Sequence, residues 1–365
     1  MYKVEVPLPN NVHNTARTLS GYIDLIDKYK DNIESLYFPL GHVDDDIDVW
    51  GIRAPGWVYI DGVINKQAII NWENALDNIM SFTNVPVKIL MNNIYHPKFY
   101  EQDSIDKILQ KLDYYNKKFN IKSIVVSDFL IIPILKNAGY KVTLSTNSHN
   151  SLNELDMSLM LYDIDEIVLQ RDLNRNPKRT IPFLKHRDLL DKVVLMVNEG
   201  CINACPFKNA GDVEISLSDV KTRSNKIHVA GCTALQKLDP WTFLTSQFLT
   251  KSMIEEYYPD IKIVKLAGRD LDVSQIKKQL QHYIDGVDHK LSDILNVYAP
   301  SDIRVSDLHD EYIKDVMTCN KECSVCRRCK LVYEEHNPKH QVISLSDDIM
   351  KSLKNSHTPF TIGTQ

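Results

Sequence analysis

From residue 34 onward the chain alternates short strand-like runs with amphipathic helical stretches, and few architectures accept that order. Runs with strand character fall at 34–38, 87–91, 123–126, 141–144, 166–169, 193–197 and 261–264. Between and around them, apolar residues recur at helical spacing over 18–29, 64–80, 105–119, 130–137, 152–162, 181–190 and 248–257. Gly139, just past the stretch that ends at Asn137, suits a helix stop before the next strand. Strand and helix in alternation with short links imply a parallel sheet with right-handed crossovers. Six or more such units point to an α/β chain folded as a TIM-like (β/α)8 barrel.

The run Lys192-Val193-Val194-Leu195-Met196-Val197 is apolar and β-branched enough to be covered on both faces. It leads directly into Asn198-Glu199-Gly200-Cys201-Ile202-Asn203-Ala204-Cys205-Pro206. The residues beyond the other strands are polar as well, among them Asn92-Asn93, Asp128, Ser145-Thr146-Asn147, Gln170-Arg171-Asp172, and Lys265 with Arg269. A barrel gathers these ends on one face, where as a set they suit a polar or anionic ligand. Taken singly, each also suits helix capping or loop ordering.

Past the barrel, helices are expected at 274–284 and 308–317, followed by a cysteine-dense segment. The expected division is a barrel over 1–298, a cysteine-rich metal-binding extension over 299–335 that packs near the carboxyl ends of the strands, and a polar tail over 336–365. With 43 Lys and Arg against 48 Asp and Glu, the net charge of −5 lacks the global basic signature of a nucleic-acid binder. No apolar run reaches the roughly 18 residues of a membrane span, and the first residues do not have the layout of a signal peptide. A cytoplasmic protein is expected.

Seven cysteines, an odd number in two groups, do not suit a disulfide scaffold in a chain of 365 residues. Cys201, Cys205 and Cys232 lie in the middle, while Cys319, Cys323, Cys326 and Cys329 crowd near the end. The compact terminal run suits the corners of an iron-sulfur cluster better than the two separated pairs of a zinc site, with zinc as the alternative there. Cys232 follows Gly231, which permits close approach. The three central thiols with one further ligand would make a second cluster site, so the seven cysteines fit one four-iron, four-sulfur cluster or two. Cys319-x3-Cys323-x2-Cys326 also has the spacing of the radical S-adenosylmethionine signature, although in that superfamily the motif follows the first barrel strand.

Three segments together resemble the collagenase-like peptidase family: Ile167-Val168-Leu169-Gln170-Arg171-Asp172-Leu173; Leu244 to Thr250 followed by Lys265-Leu266-Ala267-Gly268-Arg269; and Asn198-Glu199-Gly200-Cys201 to Cys205-Pro206. The resemblance covers about residues 89–284. It implies a barrel with a four-iron, four-sulfur cluster, for which Cys201, Cys205 and Cys232 are the carried-over ligands. It also implies oxygen-independent hydroxylation of tRNA or ribosomal RNA bases or of an aromatic small molecule, with prephenate as oxygen donor and a partner subunit in some members. The chain departs from the family in the three-residue gap between Cys201 and Cys205 and in its terminal cysteine group. Proteolysis is not expected, for there is no His-Glu-x-x-His and no nucleophile elbow.

The reading that follows is an iron-sulfur enzyme modifying an RNA base or an aromatic small molecule. Lys265, Arg269 and Arg171 are the candidates for holding an anionic group, and Glu199 is the candidate for proton transfer. Glu199 serves equally well as an acceptor that orders the cysteine loop. The alternative from another class is a metal-stabilised RNA-binding or assembly protein, with Lys321, Arg327, Arg328 and Lys330 contacting phosphates.

Overall fold

The computed structural model describes residues 2–337 apart from 45–46, 50–55, 61–62, 95–96, 204, 218–235, 237–238 and 297–301. Eight parallel strands close into a barrel: β1 (Lys3–Pro7), β2 (Ile33–Pro39), β3 (Val87–Met91), β4 (Ile121–Val126), β5 (Val142–Leu144), β6 (Glu166–Val168), β7 (Val193–Met196) and β8 (Ile263–Lys265). Each strand pairs with its neighbours in sequence, and β1 pairs with β8 through Val4 opposite Val264 and Glu5 opposite Lys265.

Helices follow the strands: α1 (Ala16–Tyr29), α2 (Lys66–Ser81), α3 (Gln102–Lys118), α4 (Ile132–Asn137), α5 (Leu152–Leu161) and α6 (Pro177–His186). The connection from β7 to β8 carries α7 (Lys208–Leu217) and α8 (Lys251–Tyr257), and α9 (Val273–Leu280) follows β8. The TIM-like barrel expected from the alternation is therefore what the chain forms. Helix α6 starts four residues before its expected position, because Pro177 supplies a first helical residue whose missing N–H costs nothing there.

Strand β1 is the one that periodicity did not reveal. Its sequence, Lys-Val-Glu-Val-Pro, alternates as a half-exposed strand would, yet Glu5 is fully buried. Its apolar residues Val4 and Val6 join the large core between strands and helices, while Glu5 points into the barrel. There Lys88 donates to both Glu5 and Glu166, and Lys265 donates to Glu5 at 2.8 Å. Ser123 and Thr143 share a hydrogen bond of 2.6 Å, and Thr143 donates to Glu166 at 3.2 Å. Small apolar clusters, such as Val168, Val194, Met196, Ile263 and Ala267, fill the remainder of the barrel interior.

Burial alone would raise Glu5, but Lys265 and Lys88 hold it down at about 2. Burial lowers both Lys88 and Lys265, opposed by Glu5. Two carboxylates and two ammonium groups thus neutralise one another in a space where an isolated charge would be strongly disfavoured.

Past the barrel come α10 (Asp310–Thr318), the single turn α11 (Cys323–Cys326) and α12 (Arg328–His336). Tyr312 of α10 and Tyr333 of α12 are buried, Tyr333 edge-on to Phe243 at 6.1 Å, so the extension is packed onto the segment leading into α8. The expected polar tail lies outside the described residues from 338 onward. Among the described residues, no helix is long and apolar enough to cross a membrane.

Candidate functional site

Two groups of side chains gather beyond the carboxyl ends of the strands. The first centres on Arg171, which the turn after β6 holds almost completely buried. Its Nη1 donates to Cys201 Sγ at 3.1 Å, and its Nη2 donates to Asn147 Oδ1 at 2.8 Å and Asp212 Oδ2 at 3.2 Å. Glu199 Oε2 stands 3.7 Å from Nη1. Asn147 comes from beyond β5, Glu199 and Cys201 from beyond β7, and Asp212 from α7. One planar guanidinium thus ties three elements together, as its fixed fork of donors allows.

Asp212 also meets His149 Nε2 at 2.9 Å. His149 sits in a left-handed conformation, φ 57°, that non-glycine residues adopt rarely and that is often found at functional sites. Burial would raise Asp212, but His149 and Arg171 outweigh it and bring the carboxyl below its ordinary range. Burial would lower Arg171, and the adjoining Cys201, Glu199 and Asp212 raise it instead.

Cys201 as a residue is half-buried, while its thiol is enclosed. Burial and then Glu199 push that thiol up to about 12 against the opposing Arg171, so without a metal it is protonated at neutral pH. A metal that binds there must displace the proton.

The expected anion-holding residues are divided by the structure. Arg171 lies at the strand ends, among the groups just described. Lys265 is 4% exposed inside the barrel, engaged by Glu5 and 3.5 Å over the ring of Tyr37. Arg269 is half-buried near Tyr37 and Lys265, and the turn before it depends on Gly268. That glycine has φ 121°, and a Cβ there would meet Leu271 Cδ1 at 2.4 Å, so the Gly-Arg pair has a backbone reason.

The second group is the terminal cysteine segment. Cys319, Cys323, Cys326 and Cys329 line one cavity of about 270 Å³, with Trp241 and Lys321 beside them. Burial raises the thiols of Cys323 and Cys329. Cys319 and Cys326 are exposed. Asn203, on the loop that carries Cys201, stands beside the thiol of Cys323 and accepts from Gln247 Nε2 at 3.2 Å. The extension therefore reaches the loop beyond β7, as the sequence led one to expect.

Cys205 is half-buried on that loop, and Cys232 lies outside the described residues. Among the described residues, no three His, Cys, Asp or Glu side chains are grouped so as to hold a single metal ion. Of the basic residues in and just after the terminal cysteine run, Arg328 pairs with Asp315 at 2.8 Å and with Glu311 at 3.3 Å, and Lys330 faces Glu334 at 3.7 Å.

Sequence reasoning missed His149 and Asp212. His149 is two residues beyond the polar triplet that ends at Asn147, whereas Asp212 sits on a helix with no local mark of its role. Compared with protein-family models, curated proteins and solved structures, the chain matches none, so its chemistry rests on these residues and their geometry.

Proposed function

We propose that the protein is an iron-sulfur enzyme that modifies an RNA base or an aromatic small molecule at the barrel mouth by oxygen-independent hydroxylation or a related reaction. The observation that carries this reading is the placement of four thiols around one cavity, joined through Asn203 to the loop of Cys201 and its partner Arg171.

The residues fit such a group. A single zinc ion takes ligands that converge tetrahedrally on one point. Here four cysteines within eleven residues line one cavity of about 270 Å³, a donor set and a space that suit a group of several atoms. Cys319, Cys323, Cys326 and Cys329 would hold it. When bound, an iron-sulfur cluster supplies electron transfer or Lewis acidity.

The other tasks fall to the chain's own side chains. Arg171, held by Asn147 and Asp212, fixes the positions of Cys201 and Glu199 at the barrel mouth. His149 Nε2 faces Asp212 at 2.9 Å, which makes the pair the candidate for proton transfer. In a hydroxyl transfer from an organic donor, the donor is left with hydrogen where it carried the hydroxyl, and the substrate gains that hydroxyl in place of hydrogen. Molecular oxygen and an external reductant are then not consumed. RNA binding without catalysis is less well supported, because Arg328 and Lys330 are engaged by the chain's own carboxylates.

The test is mass spectrometry of nucleosides and aromatic metabolites from cells with the gene, without it, and with Arg171→Lys. A hydroxylated species should vanish on deletion, return with the wild type and fall strongly with the variant, because an ammonium cannot serve Cys201, Asn147 and Asp212 together. Identical profiles with and without the gene would contradict the proposal.

A further inference from the structure

Among the described residues, Arg175 and Lys321 stand near the terminal thiols with no carboxylate paired to them. Arg175, at 1% exposure, donates Nε to Phe248 O at 2.9 Å and Nη1 to Leu244 O at 2.8 Å, with its guanidinium 4.1 Å over the Phe248 ring. Its Nη2 is buried without a hydrogen-bond partner. The same Leu244 carbonyl faces the Tyr312 hydroxyl at 3.3 Å and Cys329 Sγ at 3.9 Å, and that hydroxyl is 3.7 Å from Cys329 Sγ. Arg175 therefore lies directly behind Cys329.

Lys321 lies within the cysteine run itself. A left-handed turn, φ 64°, places its half-buried side chain on the cavity wall near Cys319, Cys323 and Cys329. Its ammonium donates to the Val316 carbonyl at 3.5 Å. Among the described residues, neither cation makes an ion pair, and the nearby Asp315 is taken by Arg328. Carbonyl oxygens solvate a buried cation but do not cancel its charge, and a buried charge without a counter-ion is strongly disfavoured.

We infer that Arg175 and Lys321 are the counter-charges of an anionic thiolate-bound group seated among Cys319, Cys323, Cys326 and Cys329, and that they set how readily it accepts an electron. The inference rests on the iron-sulfur reading above. Reduction adds one negative charge to the group, and a nearby cation stabilises the reduced form more than the oxidised one. Removing either cation should therefore favour the oxidised state.

The test is a redox titration, followed by electron paramagnetic resonance, of protein purified without oxygen and supplied with iron and sulfide. Lys321→Gln and Arg175→Gln should each shift the reduction equilibrium about tenfold toward the oxidised form, close to 59 mV lower for one electron. Arg175→Lys keeps the charge and should stay near the wild-type potential. An unchanged potential in Lys321→Gln overturns the inference, and that variant decides alone if Arg175→Gln does not fold. A wild type that takes up no iron and sulfide overturns the cluster reading and the inference with it. A cluster whose potential ignores both cations overturns the inference alone.

Discussion

Glu5→Gln is expected to destabilise the protein by about 3–5 kcal/mol, the usual cost of breaking a buried ion pair from one side. Glu5 is fully buried between Lys88 and Lys265, and the amide would leave Lys265 without a carboxylate. The pH dependence has a definite sign. The folded carboxyl lies at about 2 against an ordinary 4.5, so the unfolded chain binds the extra proton between those values. Glu5 therefore stabilises the fold above about pH 4.5, and that stabilisation is lost as pH falls toward 2. Urea midpoints from pH 6 down to the acid limit should fall steeply for the wild type and less steeply for Glu5→Gln. Parallel curves would show that the interior network contributes no pH-dependent stability.

Arg171→Met should have an effect of similar size and a different pH signature. The change leaves the buried Glu199 carboxylate without Arg171, leaves Asp212 with His149 alone beside it, and leaves the Asn147 carbonyl without its donor. About 3–5 kcal/mol is expected near neutral pH. In the wild type Asp212 titrates below its ordinary 3.8, so its contribution is present above that value and lost as pH falls through the folded one. Without Arg171, one of the groups that outweigh burial at Asp212 is gone, so that carboxyl rises and its protonation in the folded state becomes easier. The gap between variant and wild type should thus narrow as pH falls toward 4. A gap that is constant with pH would mean that Arg171 acts by packing alone.

Most of the barrel was legible because seven strands bury both faces and read as apolar runs between helices. Strand β1 was hidden by the same chemistry that closes the barrel. Glu5 looks like the solvent-facing half of an alternating strand, and only Lys88 and Lys265, 83 and 260 residues away, explain its burial. Lys265 was misleading for the complementary reason. A lysine at a strand end reads as a ligand contact, and this one points into the interior toward Glu5.

The candidate site was legible where it is local in sequence. The spacing of Cys319 to Cys329 marked the thiol cavity, and the strand-end positions of Arg171, Glu199 and Cys201 marked the mouth. His149, Asp212 and Arg175 carry no such mark. Asp212 becomes meaningful only when α7 brings it to Arg171 and His149, and Arg175 only when the extension lays Cys329 behind it. Long-range pairing of this kind has no signature in periodicity.

The most direct test is iron, sulfide and zinc analysis with electron paramagnetic resonance on protein purified without oxygen, comparing the wild type with Cys323→Ala, Cys329→Ala. About four irons with matching sulfide per chain, lost in the double variant, are expected if the terminal thiols hold a four-iron cluster. About eight would add a second cluster at the central cysteines. Stoichiometric zinc without sulfide, or iron and sulfide retained in full by the double variant, would contradict the assignment of the cluster to this cavity.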